Sequence, residues 1–143
     1  ILYSMAEQQE PIAQAIGEAA RESGERLILM TLASGTFDAH CRKMGARVAS
    51  EGFADRAYEV DGTLVSRKKA YALITDPARA AAQAVRMAAE GKVRTHDGVD
   101  IDITVHTICC HGDTPGAEGI VRAVRDGFEK AGIRVRPLRD WLP

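Results

Sequence analysis

Helix-period segments and short strand-like runs alternate along this chain, and that alternation constrains the fold more than any single motif. Ile12, Ala15, Ile16, Ala19 and Ala20 recur at helical spacing, with Pro11 tolerated in the first turn and Gly24 as a stop signal. Residues 26–32 are short, apolar and bounded by turn residues, which predicts a buried strand. Residues 35–44 read as a helix ended by Gly45, and 47–50 as a short strand. After a brief apolar run at 71–75, Asp76 and Pro77 supply an N-cap and an N1 proline. An Ala-rich helix then reaches Glu90, with Gly91 at C′. Asp97-Gly98 between alternating segments predicts a hairpin over 92–103. Residues 104–110 are the most β-rich run. Thr114-Pro115 opens a further helix striped by Ile120, Val121, Val124 and Phe128, and 133–135 read as a last strand, with Trp141 packing near the C-terminus. Such alternation predicts an α/β fold with a largely parallel sheet, because helical crossovers return each strand in the same direction. Ligands in these folds sit at the C-terminal edge of the strands.

Bulk properties narrow the function classes. A chain of 143 residues can bury one real core, so a single domain over 1–143 is expected. A formal charge of -1 and the absence of a long basic block argue against nucleic acid or an anionic membrane as partner. No apolar run reaches a transmembrane length. The three cysteines, Cys41, Cys109 and Cys110, lack metal spacing, and adjacent Cys109 and Cys110 point to opposite faces of a strand. A reducing, cytoplasmic setting fits that pattern. The chain opens apolar, Ile1-Leu2-Tyr3-Ser4-Met5, without an initiator Met, and reads as entered in mid-element.

Residues 50–67, SEGFADRAYEVDGTLVSR, read as a long charged loop leaving a strand, and long loops in compact domains are often functional. Glu51 there suits a general base or an ammonium contact, or a salt bridge to Arg47 or Arg56. Arg56 suits a bidentate carboxylate clamp, or a structural pair with Asp55. Asp61-Gly62 reads as a turn. His111 and Asp113 straddle a glycine at a strand end, just before a helix. They suit an acid–base pair, a phosphate site or metal ligands, or simply a helix cap beside a packed histidine. His40, His96 and His106 are scattered on a helix, a hairpin turn and a strand, without ligand spacing. No phosphate-binding loop, dinucleotide glycine motif or zinc pattern is present.

Taken together, several ordered motifs resemble the LamB/YcsF family. Residues 45–67 resemble its R-V-A-x-E-x-F-A-D-R-x-Y-x-x-D-G-x-L-x-x-R pattern. Ile74 to Pro77 resemble I-x-D-P, residues 107–115 resemble T-I-C-V-H-G-D-x-P, and Leu2-Tyr3-Ser4 resemble the end of K-P-H-G-A-L-Y-N. The resemblance runs from Leu2 to about Val135. Departures are Gly52 in place of a larger apolar residue, 68–72 in place of a stretch with Pro-Gly-Ala, and Ser4 in place of Asn. The family's N-terminal motifs have no counterpart in this chain.

What the resemblance implies is specific. The fold would be part of an irregular β/α TIM-like barrel of the deacetylase type, with its N-terminal strands missing; such barrels need roughly 200 residues or more. The activity would be that of the A component of ATP-dependent 5-oxoprolinase, a cyclic amide hydrolase turning 5-oxo-L-proline into L-glutamate. Expected partners are the B and C subunits and an N-terminal half of the same barrel. ATP with Mg would be used by the complex, with no tightly bound cofactor and no metal ligand in this chain. His111, Asp113 and Glu51 would be catalytic, and Arg56, Asp55 and Tyr3 would bind substrate; this chain alone would be inactive. A non-catalytic half-barrel module and a metal-dependent deacetylase-like hydrolase with His111 and Asp113 as ligands are the competing expectations.

Overall fold

The computed structural model describes residues 2–23, 27–113 and 116–142. Helices α1 (Leu2–Gln8) and α2 (Glu10–Glu22) lead into strand β1 (Leu29–Leu32), helix α3 (Thr36–Lys43) and strand β2 (Val48–Phe53). Helix α4 (Pro77–Glu90), the hairpin β3 (Lys92–Arg94) and β4 (Asp100–Asp102), strand β5 (Thr107–Cys109) and helix α5 (Ala117–Lys130) follow. A short 3-10 turn, Leu138–Asp140, comes last. The expected Gly24 stop and Thr114-Pro115 helix start lie outside the described residues.

The sheet is parallel, in the order β1-β2-β5, with Leu32 opposite Glu51 and Phe53 opposite Cys109. β2 is central and nearly buried throughout, as a strand covered on both faces must be. It runs through Ser50, Glu51 and Gly52, which corrects the expectation that the strand stops at 50 and a loop begins. The polar-looking triplet hides the strand. Ser50 spends its hydroxyl on Asp38, and Gly52 leaves room for Val105, Met87 and Ile108, which a Cβ would meet at 2.8, 3.0 and 3.2 Å.

Two further expectations are corrected. Residues 133–135 are not a strand, because among the described residues no strand pairs with them; the Ile133 amide instead closes back on the Phe128 carbonyl at 2.8 Å. The β-rich run at 104–110 contributes only Thr107–Cys109, so His106 precedes the strand. Helix α4 matches its sequence signals. Asp76 accepts from the Arg79 amide at 2.8 Å, and Gly91 closes the helix at φ 64°, where glycine carries no Cβ penalty. The hairpin turns through Gly98 at φ 87°.

Three apolar clusters hold these elements. Leu32, Phe53, Tyr58, Met87, Val93 and Ile103 pack under the sheet and hairpin, while Ile74, Ala80, Ala84, Ile120, Val124 and Phe128 join α4 to α5. Ala6, Ala13, Phe37, Cys41 and Val48 join α1–α3 to β2. A buried polar knot ties α3 to both strands. Thr31 Oγ1 and Ser50 Oγ donate to Asp38 Oδ2 at 2.7 and 2.6 Å, and Arg42 Nε donates to Oδ1 at 2.7 Å. Burial opposes the Asp38 charge, but these donors outweigh it and hold its carboxyl below the usual range.

Candidate active site

The C-terminal ends of β2 and β5 lie side by side, and the chain leaves both through polar residues. Ala54 donates to the Cys109 carbonyl at 3.0 Å, which extends the β2–β5 contact by one residue. Asp55 follows, 1% exposed, and faces the residue that leaves β5. Its Oδ2 accepts from the His111 amide at 2.9 Å, and its Oδ1 and Oδ2 meet His111 Nδ1 at 2.8 and 2.9 Å. In the neutral ring, a carboxylate acceptor at Nδ1 favours the proton there, so the Nε2 lone pair is the one left to take a proton. The imidazole stacks on Phe53 with centroids 5.5 Å apart and planes at 16°. It is therefore fixed in tautomer by Asp55 and in orientation by Phe53.

Glu51 lies inside β2, opposite Thr107, and is its one half-buried position. Burial lifts its carboxyl above the usual carboxylate range, against the opposing pull of His111 and the Tyr3 hydroxyl. Tyr3, from α1, brings a buried hydroxyl to this carboxyl without a well-formed hydrogen bond. Burial, then the Glu51 and Glu7 carboxyls, push its phenol well upward, so it stays protonated as a donor. Cys109 borders the same group. Burial and the Glu51 and Asp55 carboxyls push its thiol up to about 12, so it is neutral and a poor nucleophile.

The loop at 54–76 is pinned rather than loose. Gln83 of α4 donates to the carbonyls of Phe53 and Arg56 at 2.8 Å, and more weakly to Ala54 at 3.3 Å. Tyr58 Oη accepts from the Phe53 amide at 2.8 Å. Isolated bridges join Arg56 to Leu73 and Tyr58 to Leu64. Asp61 Oδ1 accepts from the Thr63 amide at 2.9 Å, and Gly62 turns at φ 84°, as the Asp-Gly signal predicts.

Some predicted site residues converge and others do not. Tyr3, Glu51, Asp55 and His111 come together. Asp113 is not the partner of His111. That place belongs to Asp55, while Asp113 is exposed and meets Arg67 Nη1 at 3.4 Å. Nor does Asp113 cap the next helix, whose N-cap is Gly116. Arg56 is buried and donates to the Val65 carbonyl at 2.7 Å, without an ion pair to Asp55 or Glu51. Phe53 and Gln83 carry no signal in the sequence because their partners are set by tertiary contact. Among the described residues, no three His, Cys, Asp or Glu side chains cluster as a metal site. His106 Nδ1 accepts from the Ser50 amide at 3.0 Å. Burial and the Arg42 guanidinium hold its pKa down, which marks it as a neutral structural histidine.

The LamB/YcsF family model matches residues 1–143. This chain belongs to the LamB/YcsF family. Within it, the chain is 41% identical over 141 residues to the A subunit of 5-oxoprolinase from Pyrococcus furiosus, covering 99% of this chain and 55% of that one. The corresponding figures for the 5-oxoprolinase A subunit of Shouchella clausii are 42% over 135 residues, 94% and 53%. The chain spans about half the length of the curated relatives it matches. It also superposes on the crystal structure of a lactam utilization protein from Thermus thermophilus, with a TM-score of 0.86 and 38% identity. That match covers 94% of this chain and 53% of that one. The family likeness and the fold agree on an α/β arrangement around a parallel sheet. No helix among the described residues is long and apolar enough to cross a membrane.

Proposed function

We propose that this chain supplies part of the active site of a cytoplasmic, ATP-dependent 5-oxoprolinase that opens 5-oxo-L-proline to L-glutamate with B and C partner subunits. The observation that carries the reading is the His111–Asp55 pair beside a half-buried Glu51, at the C-terminal ends of adjacent parallel strands. It is supported by relatives that bear the name of the 5-oxoprolinase A subunit. β1 and β5 each pair on one side only among the described residues. That suits an arc of an irregular β/α barrel completed by the other half of the fold, with residues 1–143 as its C-terminal part.

The roles follow from the chemistry. Lactam opening needs a nucleophilic water, a base to take its proton and a donor at the departing nitrogen or carbonyl oxygen. His111, with Asp55 fixing Nδ1–H, presents Nε2 as the base. Glu51, lifted by burial, supplies a carboxyl able to give a proton, and the Tyr3 hydroxyl adds a neutral donor beside it. Arg56 offers its guanidinium to an oxyanion of the substrate, its carboxylate or the phosphoryl group that activates it. In the complex, ATP supplies the phosphoryl activation that a poorly electrophilic amide requires. Asp113, expected in the catalytic set, meets Arg67 instead, and the carboxylate that orients His111 is Asp55.

The test is release of glutamate and ADP from 5-oxoproline by the full-length protein assembled with its partner subunits, wild type against Glu51→Gln. A fall in kcat of about 10²–10⁴-fold is expected from losing an acid–base group. A wild-type complex that releases no glutamate sinks the function, and a fully active Glu51→Gln complex sinks the role of Glu51.

A further inference from the structure

Arg56 is a buried charge with little to neutralise it. The residue is 7% exposed. Its Nη2 donates to a backbone carbonyl, Val65 O at 2.7 Å, and its Nε is buried without an acceptor. Asp55, its chain neighbour, spends both oxygens on His111. Among the described residues Arg56 forms no ion pair. Leaving a buried guanidinium unpaired is costly. A second guanidinium makes matters worse: after burial itself, Arg67 is what most depresses the Arg56 charge, with Asp55 and Tyr58 opposing.

Arg67 has only a weak hold on its own partner. Its Nη1 meets Asp113 Oδ2 at 3.4 Å, with side chains 46% and 68% exposed. Exposed one-point pairs of this kind add little stability, so they exchange readily. Asp113 stands two residues beyond His111, and Arg56 stands next to Asp55. Arg56 reaches the Val65 carbonyl, two residues before Arg67, and Arg67 reaches Asp113, so the two guanidiniums belong to one stretch of the wall that also carries Asp55 and His111. Planar guanidinium forks match carboxylate and phosphoryl oxygens, and such an anion would neutralise both charges at once.

We infer that Arg56 and Arg67 form a subsite for a small oxyanion, a carboxylate or a phosphoryl group, and that Asp113 occupies Arg67 as an internal stand-in which the ligand displaces. The inference rests on the lactam reading for which oxyanion is taken, either the carboxylate of 5-oxoproline or the activating phosphoryl group. Arg67 and Asp113 then set affinity, and neither needs to touch the scissile bond.

Calorimetric titration of the full-length protein with its partner subunits separates this from a purely structural Arg56. The probes are inorganic phosphate, 5-oxo-L-proline and 2-pyrrolidinone, which has the lactam ring without the carboxylate. Arg67→Gln, at an exposed position, is expected to weaken phosphate or 5-oxoproline binding about tenfold, the loss of one charged fork contact. Asp113→Asn is expected to tighten the same probe several-fold, because the internal competitor is gone. Neither variant should alter 2-pyrrolidinone binding. Obedience by 5-oxoproline alone assigns the subsite to the substrate carboxylate, and by phosphate alone to the activating group. Unchanged affinity in Arg67→Gln, or weaker binding in Asp113→Asn, overturns the inference. If phosphate follows the pattern while the complex releases no glutamate, the subsite stands and the lactam reading falls. If glutamate is released while Arg67→Gln binds both oxyanions normally, the reading stands and the subsite falls.

Discussion

At the scale of single residues, the site depends on which carboxyl group faces which partner. Asp55 and His111 are 56 positions apart, so no local motif announces their pairing. The family resemblance brings both residues to the site, but the nearby Asp113 draws the eye as the partner of His111. Asp55→Asn should keep the shape and cost the complex about 10²-fold or more in kcat, because an amide no longer secures the Nδ1–H tautomer or the imidazolium. Steady-state turnover against near-ultraviolet dichroism would separate that loss from misfolding. The buried Asp38 and half-buried Glu51 carboxyls also predict opposite pH effects on stability. The folded pKa of Asp38 lies below its ordinary value of about 3.9. Its contribution is therefore complete above that value and is lost as pH falls through the folded one. Asp38→Asn should cost about 1–3 kcal/mol at neutral pH, by leaving Arg42, Ser50 and Thr31 poorly matched, and should flatten the acid limb of a denaturation series. Glu51 runs the other way. Its folded pKa is raised, so the folded state holds the proton more tightly and stability declines as pH rises from about 4.3 through the folded value. Glu51→Gln should abolish that decline, read as unfolding midpoints across the same pH series.

Elements are legible in the sequence where a local signal is also the structural cause. Asp76, Pro77 and Gly91 bound α4 because capping and left-handed closure are properties of those few residues. Asp97-Gly98 marks the hairpin for the same reason. β2 reads short because a central parallel strand needs no alternation, and its Ser50-Glu51-Gly52 segment imitates a turn. Residues 133–135 show the converse. Their apolar pattern suits a strand, yet a strand exists only where a neighbour takes its hydrogen bonds. Gly52 is required by close packing: Gly52→Val should destabilise by about 1–3 kcal/mol through overpacking against Val105, Met87 and Ile108, measured by chemical denaturation. Gln83 looks like any polar residue on a helix, but it holds the carbonyls that shape the start of the loop. Gln83→Leu should leave those acceptors unpaired, at a cost of about 1–3 kcal/mol, with faster amide exchange confined to 53–57.

For the whole molecule, alternation decides the class, a parallel sheet with helices, while the order β1-β2-β5 is set by tertiary contact that no window of sequence contains. The sheet gathers Glu51, Asp55 and His111 at one end, where backbone direction alone places ligands in α/β folds. Beside β5, a groove of about 660 Å³ runs along α5 and the 133–136 segment, lined by Val105, Ile108, Phe128 and Trp141. Neither His111 nor Asp55 lines it. The central claim is that His111, held by Asp55, is the base of a lactam-opening reaction. The most direct measurement is the kcat of the assembled complex on 5-oxoproline, wild type against His111→Ala. Loss of about 10²–10⁴-fold in kcat with the complex still assembled is the expected result, and undiminished turnover would contradict it.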